Sequence, residues 1–92
     1  MMISSDPEKR NWTLAERGLD FERCPEVFGG VHMTVEDTRE NYGETRHMTI
    51  GTHGARMVVV VWTVRDDMRR IISMRKANDH EQTAYAPLLR RR

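Results

Sequence analysis

A chain of 92 residues supplies one domain and buries only about 60–65% of its unfolded surface, which favours an open site over a deep cavity. With 38% hydrophobic and 32% charged residues it is neither disordered nor membrane-spanning, and a single cysteine, Cys24, excludes a disulfide framework. The charge is divided: residues 1–54 hold six Lys and Arg against ten Asp and Glu, residues 55–92 nine against four, and eight of those nine cations are arginine.

Asp6-Pro7-Glu8 reads as a helix start, with Asp6 as cap, Pro7 at the first helical position and Glu8 at the positive end of the dipole. This helix is expected to run to about Arg17 and stop at Gly18. A second short helix is expected from Asp20 as cap to Gly29-Gly30, presenting Phe21, Val27 and Phe28, with Pro25 kinking it or delaying its start. From Val31 the period becomes two: Val31, Met33 and Val35 alternate with His32, Thr34 and Glu36 as a half-buried strand. Asn41-Tyr42-Gly43 turns the chain into a strand from about Thr45 to Ile50, and Gly51 to Gly54 suits a hairpin loop. Ala55 to Arg65 is apolar on both faces through its valines, as a central strand is. Asp66-Asp67 turns into a last strand, Met68 to Lys76. Asn78 and Glu81 then form a capping box for a helix reaching about Tyr85, which Pro87 ends.

The expected architecture is α+β: two N-terminal helices on an antiparallel sheet and a short C-terminal helix. The sheet has four strands, or five if a two-residue segment before Asp6 joins its edge. Residues 6–85 form the ordered core of a single domain, and 87–92, ending in Arg90-Arg91-Arg92, a loose tail. Met1 to Glu8 carries no signal-peptide pattern, so a cytoplasmic setting with no membrane association is expected.

Several chemical signatures are missing. No glycine-rich phosphate loop opens a helix, and His32, His47, His53 and His80 lack metal-ligand spacing, so no metal or cofactor is expected. Cys24, among apolar neighbours, reads as a packing residue. What stands out is arginine on strands, a planar fork of donors that matches phosphate. Strict alternation puts Ile71, Ser73 and Arg75 on one face of the last strand and Arg70, Ile72, Met74 and Lys76 on the other. Arg46 and His47 point to opposite faces by the same parity. Such a surface suits metal-free cleavage of RNA, in which arginines stabilise the phosphorane and His47, Glu81, Tyr85 or Glu44 handle protons. The alternative for Arg46, Arg70 and Arg75 is ion pairing with the chain's fourteen carboxylates.

Asp6-Pro7-Glu8-Lys9-Arg10-Asn11, Leu14 and Arg17-Gly18-Leu19-Asp20-Phe21 resemble the opening signature of the BrnT family, D-P-x-K, N, K-H-G-L-x-F. Tyr42-Gly43-Glu44-Thr45-Arg46 before Ile50-Gly51 is similar to its Y-G-E-x-R…I-G stretch. Arg70-Ile71-Ile72-Ser73-Met74-Arg75-Lys76-Ala77 is similar to its R-I-I-S-x-R-x-A strand, and Glu81 with Tyr85 to the E-x-x-x-Y of its final helix. The resemblance covers residues 6–85 in order. It implies a RelE-like ribonuclease toxin of a type II toxin–antitoxin pair that halts translation. Its partner would be a ribbon-helix-helix, BrnA-like antitoxin that docks the complex on operator DNA. Position by position it implies Arg46, Arg70 and Arg75 as phosphate and transition-state contacts, flanked by Glu81 and Tyr85. Lys9, Arg56 and Lys76 are further candidate RNA contacts. Arg17 stands where the family has histidine, and Trp62 where it has tyrosine or phenylalanine. His47 matches no family position and rests on its chemistry alone. The second class of function is a non-catalytic toxin-fold subunit that co-represses with its antitoxin, and a third is a stand-alone RNA-binding domain.

Overall fold

In the computed structural model, which describes residues 1–90, a five-stranded sheet carries helical segments on both faces. The elements are β1 (Ile3–Ser5), α1 (Pro7–Arg17), a 3-10 turn (Phe21–Arg23), α2 (Cys24–Gly29), β2 (His32–Glu36), β3 (His47–His53), β4 (Arg56–Arg65), β5 (Met68–Lys76) and α3 (Asp79–Leu89). The strand order is β1-β5-β4-β3-β2. The valine-rich β4 is therefore central, as its apolar character on both faces requires.

Val58, Val60, Trp62, Ile71 and Met74 pack on one side against Leu19, Phe21, Cys24 and Val27 from the N-terminal helical segments. On the other side Ile50 and Val59 meet Ala77, Tyr85 and Leu89, the last two from α3. Local signals explain the boundaries. The Asp6 carboxylate accepts the Glu8 N–H at 3.1 Å, Pro7 occupies the first turn, and Gly18 closes α1 in the left-handed conformation at φ 68°. Asp66 and Asp67 both have positive φ, the primed turn whose twist matches a tight hairpin.

The structure departs from the sequence expectations in several places. The sheet is mixed, because β1 runs parallel to β5, pairing Ile3–Ser5 with Arg69–Ile71. The expected second helix is divided. Asp20 caps only a single 3-10 turn, accepting the Glu22 N–H at 3.0 Å, and α2 then starts afresh at Cys24. Pro25 sits in its first turn, where a missing N–H costs no helical hydrogen bond. β3 continues through Gly51 to His53, and the hairpin closes through Gly54-Ala55 alone. α3 passes through Pro87 to Leu89 instead of stopping near Tyr85, held by the contact of Leu89 with the second core. Of the expected tail, residues 87–89 are thus helical, Arg90 caps the helix, and Arg91 and Arg92 lie outside the described residues.

One irregularity decides the site. Val61 pairs with Ser73 but Trp62 pairs with Ile71, so Ile72 is an extra residue in β5. A bulge of this kind reverses the facing of everything beyond it. Arg70, Ser73 and Arg75 stand opposite Thr63, Val61 and Val59 and so share one face, where strict alternation separated Arg70 from Arg75.

Candidate functional site

On that face, at the end of the sheet where β4 hands over to β5, a small cleft of about 150 Å³ is lined by Lys9, Arg46, Arg65 and Arg70 with Asp6. α1 brings Asp6 and Lys9 to it, the residue before β3 brings Arg46, the last residue of β4 Arg65, and β5 Arg70. Arg46 and Arg65 share one carboxylate: Glu44 accepts from the Arg65 guanidinium at 3.1 Å and from Arg46 Nε at 3.2 Å. Hydrogen bonding to Arg65, more than the opposing desolvation, holds Glu44 below the usual carboxylate range. Among the described residues Lys9 and Arg70 make no ion pair.

Arg46 is set in place by the loop ahead of β3. Its guanidinium lies 4.1 Å over the Tyr42 ring, and its carbonyl accepts the Asp37 N–H at 2.8 Å. The Asp37 side chain, 1% exposed, receives both arms of Arg39 at 2.8 Å and the Tyr42 hydroxyl at 3.1 Å. Those donors, Arg39 first, hold Asp37 well below the ordinary carboxylate range. The sequence reasoning missed Arg65 and this support of Asp37, Arg39 and Tyr42. The usable signal for Arg65 was its place beside the tight turn, which brings it near Arg70.

Arg75 lies on the same face, but Thr63 and Val59, the partners of Arg70 and Arg75, are four residues apart on β4, roughly 13 Å. Arg75 is forked by Glu81 at 2.7 and 2.9 Å, and Glu81 also accepts the Asn78 N–H at 2.9 Å to complete the capping box. Hydrogen bonding to Arg75 holds the Glu81 carboxyl down at about 2, so at neutral pH it has no proton to give. Tyr85 packs against the second core beside these two.

Three candidates lie elsewhere. His47 is on the opposite face, its ring 4.5 Å from that of Trp62. Lys76 stands opposite Val58, which belongs to the first core, and so faces away from Arg70 and Arg75 as well. Arg56 opens β4 opposite His53, seven residues and roughly 23 Å from the Thr63 end of the strand. The structure thus gathers Lys9, Arg46 and Arg70, keeps Arg75, Glu81 and Tyr85 as a neighbouring group, and separates His47, Lys76 and Arg56 from both.

Among the described residues no group of three or more His, Cys, Asp or Glu is placed to hold a metal ion, and no helix is long and apolar enough to cross a membrane. No match is found among curated proteins. A family model described as the ribonuclease toxin BrnT of type II toxin–antitoxin systems matches residues 6–81, a span that includes α1, the Asp37–Arg46 loop and the whole of β5. The chain belongs to the BrnT family of ribonuclease toxins, which act within type II toxin–antitoxin pairs.

Proposed function

We propose that the chain is a metal-independent endoribonuclease with a RelE-like architecture, which cleaves RNA at the Lys9–Arg46–Arg65–Arg70 cleft and so inhibits translation. The observation that carries this is four cations converging on one opening where, among the described residues, Lys9 and Arg70 are unpaired and Asp6 and the shared Glu44 are the carboxylates that oppose them. In the proposed step the ribose 2′ oxygen bonds to phosphorus and the bond from phosphorus to the 5′ oxygen breaks. A 2′,3′-cyclic phosphate and a 5′ hydroxyl result, with the 2′ proton passing to water and a proton from water reaching the 5′ oxygen. The phosphorane carries extra negative charge relative to the diester. Donors fixed around it stabilise the transition state more than the ground state, which lowers the barrier. Glu44 is kept ionised by two arginines and the cleft contains no histidine, so charge stabilisation supplies the rate gain here and not a strong base.

The partner in this proposal is a ribbon-helix-helix antitoxin, whose complex with the toxin sits on operator DNA in the cytoplasm. The second reading, a non-catalytic co-repressor subunit, draws on the commitment of Arg75 to Glu81. One assay separates the two. Purified chain incubated with RNA and EDTA should release fragments ending in 2′,3′-cyclic phosphate, and Arg70→Gln should slow this by about 10²–10³-fold. Intact RNA at high protein excess selects the co-repressor, and cleavage that returns only on adding Mg²⁺ removes the metal independence.

A further inference from the structure

We propose that the outer edge of β5 beyond Ile71, with the groove between that edge and α1, accepts an extended acidic segment of a partner protein as an added strand. This rests on the chain being a toxin held by an antitoxin. β1 is three residues long and covers only Arg69–Ile71 of the nine-residue β5. From Ile72 to Lys76 the strand has β4 on one side and, among the described residues, no strand on the other. An edge with no neighbouring strand is a template for another chain, although here Met74 is fully buried beneath the N-terminal segments, so an incoming strand has to displace what covers it. One backbone acceptor of this edge has found a substitute: Arg17 Nη1 donates to the Met74 carbonyl at 3.0 Å, the bond that a strand N–H would make.

The groove beside this edge measures about 610 Å³ and is lined by Trp12, Thr13, Arg17, Ile72 and Ser73, with Lys9 and two carboxylates toward its end. Trp12 is 54% exposed, with the Arg17 guanidinium 5.1 Å from its ring. A large exposed aromatic ring beside a strand edge that lacks a neighbouring strand is an anchor for one apolar side chain of an added strand. Lys9, Arg17 and Lys76 make no ion pair among the described residues and favour acidic residues on either side of that anchor. A strand satisfies the backbone edge, the ring and the cations together, whereas RNA satisfies only the last two. The groove shares Asp6, Lys9 and Ile72 with the cationic cleft. An acidic strand seated here therefore competes with RNA for Lys9, which couples docking to inhibition.

The probe is a synthetic ten-residue peptide of alternating Glu and Val with a central Leu, titrated into the ¹⁵N-labelled full chain by NMR. Its Lys-for-Glu counterpart and a single-stranded RNA of the same length are titrated alongside. The acidic peptide should shift the amides of Lys9, Trp12, Arg17 and Ile72–Lys76 and slow exchange at the β5 edge. Trp12→Ala, an exposed position whose spectrum reports folding directly, should weaken it by about tenfold. The Lys peptide should shift none of these signals. Equal binding of both peptides, RNA protecting the β5 edge, or no shift at millimolar acidic peptide would each overturn the proposal. RNA cleavage measured on the same preparation keeps the two readings apart, since an active nuclease that ignores the peptide has lost only the docking edge.

Discussion

Arg70 and Arg75 occupy one sheet face, yet their surroundings give them different work. Arg70 has no carboxylate partner among the described residues, while Arg75 is forked by a glutamate that also caps α3. The Arg75–Glu81 pair ties the end of β5 to the start of α3. Its sign with pH follows from the direction of the shift. Glu81 titrates at about 2 when folded and near 4.3 when unfolded. Its contribution is therefore complete above the unfolded value and is lost as pH falls toward the folded one. Asp37 and Glu44 are lowered too, so the wild-type profile alone cannot isolate Glu81. Urea unfolding of wild type and Glu81→Gln should differ by about 1–2 kcal/mol at pH 7, with the gap shrinking between pH 4.5 and 2.5. A gap that stays constant across that range would mean that the carboxylate charge is not what holds α3.

At the scale of elements, close approach and irregular pairing matter more than propensity. Gly51 lies inside β3, where a Cβ would stand 2.8 Å from Val27 Cγ1 and 3.1 Å from His32 Cβ. This glycine lets α2 settle directly on the sheet, and its neighbour Val27 is fully buried. Gly51→Ala should cost about 1–3 kcal/mol through overpacking, read as a lower urea midpoint with an unchanged slope. A midpoint at the wild-type value would show that α2 can move away at no cost. The α1 cap, the Gly18 stop, the central β4 and the Asn78–Glu81 box were legible because each is set by neighbours in sequence. The mixed sheet was not, since three residues before Asp6 are too few to show a period or a direction. Neither was the bulge at Ile72: no residue type marks it, and alternation read through it put Arg70 on the wrong face relative to Arg75. Pro87 misled for the opposite reason, because a local rule was overridden by the contact Leu89 makes two residues later.

Across the whole molecule, the division between an acidic first half and a basic second half does not map onto two surfaces. Asp20 holds Arg10, Asp37 holds Arg39, and Glu44 holds both Arg46 and Arg65. Lys9 and Arg46 come from the acidic half and meet Arg65 and Arg70 from the basic half in one cleft. What distinguishes the site is therefore the local excess of cations over carboxylates and not the net charge of +1. A binding site of this kind releases counterions in proportion to the phosphates it neutralises, with a slope of about −0.7 per contact for a single strand. With three to four cations engaged, log K for a short single-stranded RNA should fall against log salt with a slope of about −2 to −3. Arg70→Gln should flatten that slope by about 0.7, and Arg56→Gln, at the far hairpin, should leave it unchanged. Equal flattening by both substitutions would mean that RNA is held by the diffuse positive surface of the sheet, and the cleft would then lose its claim to the substrate.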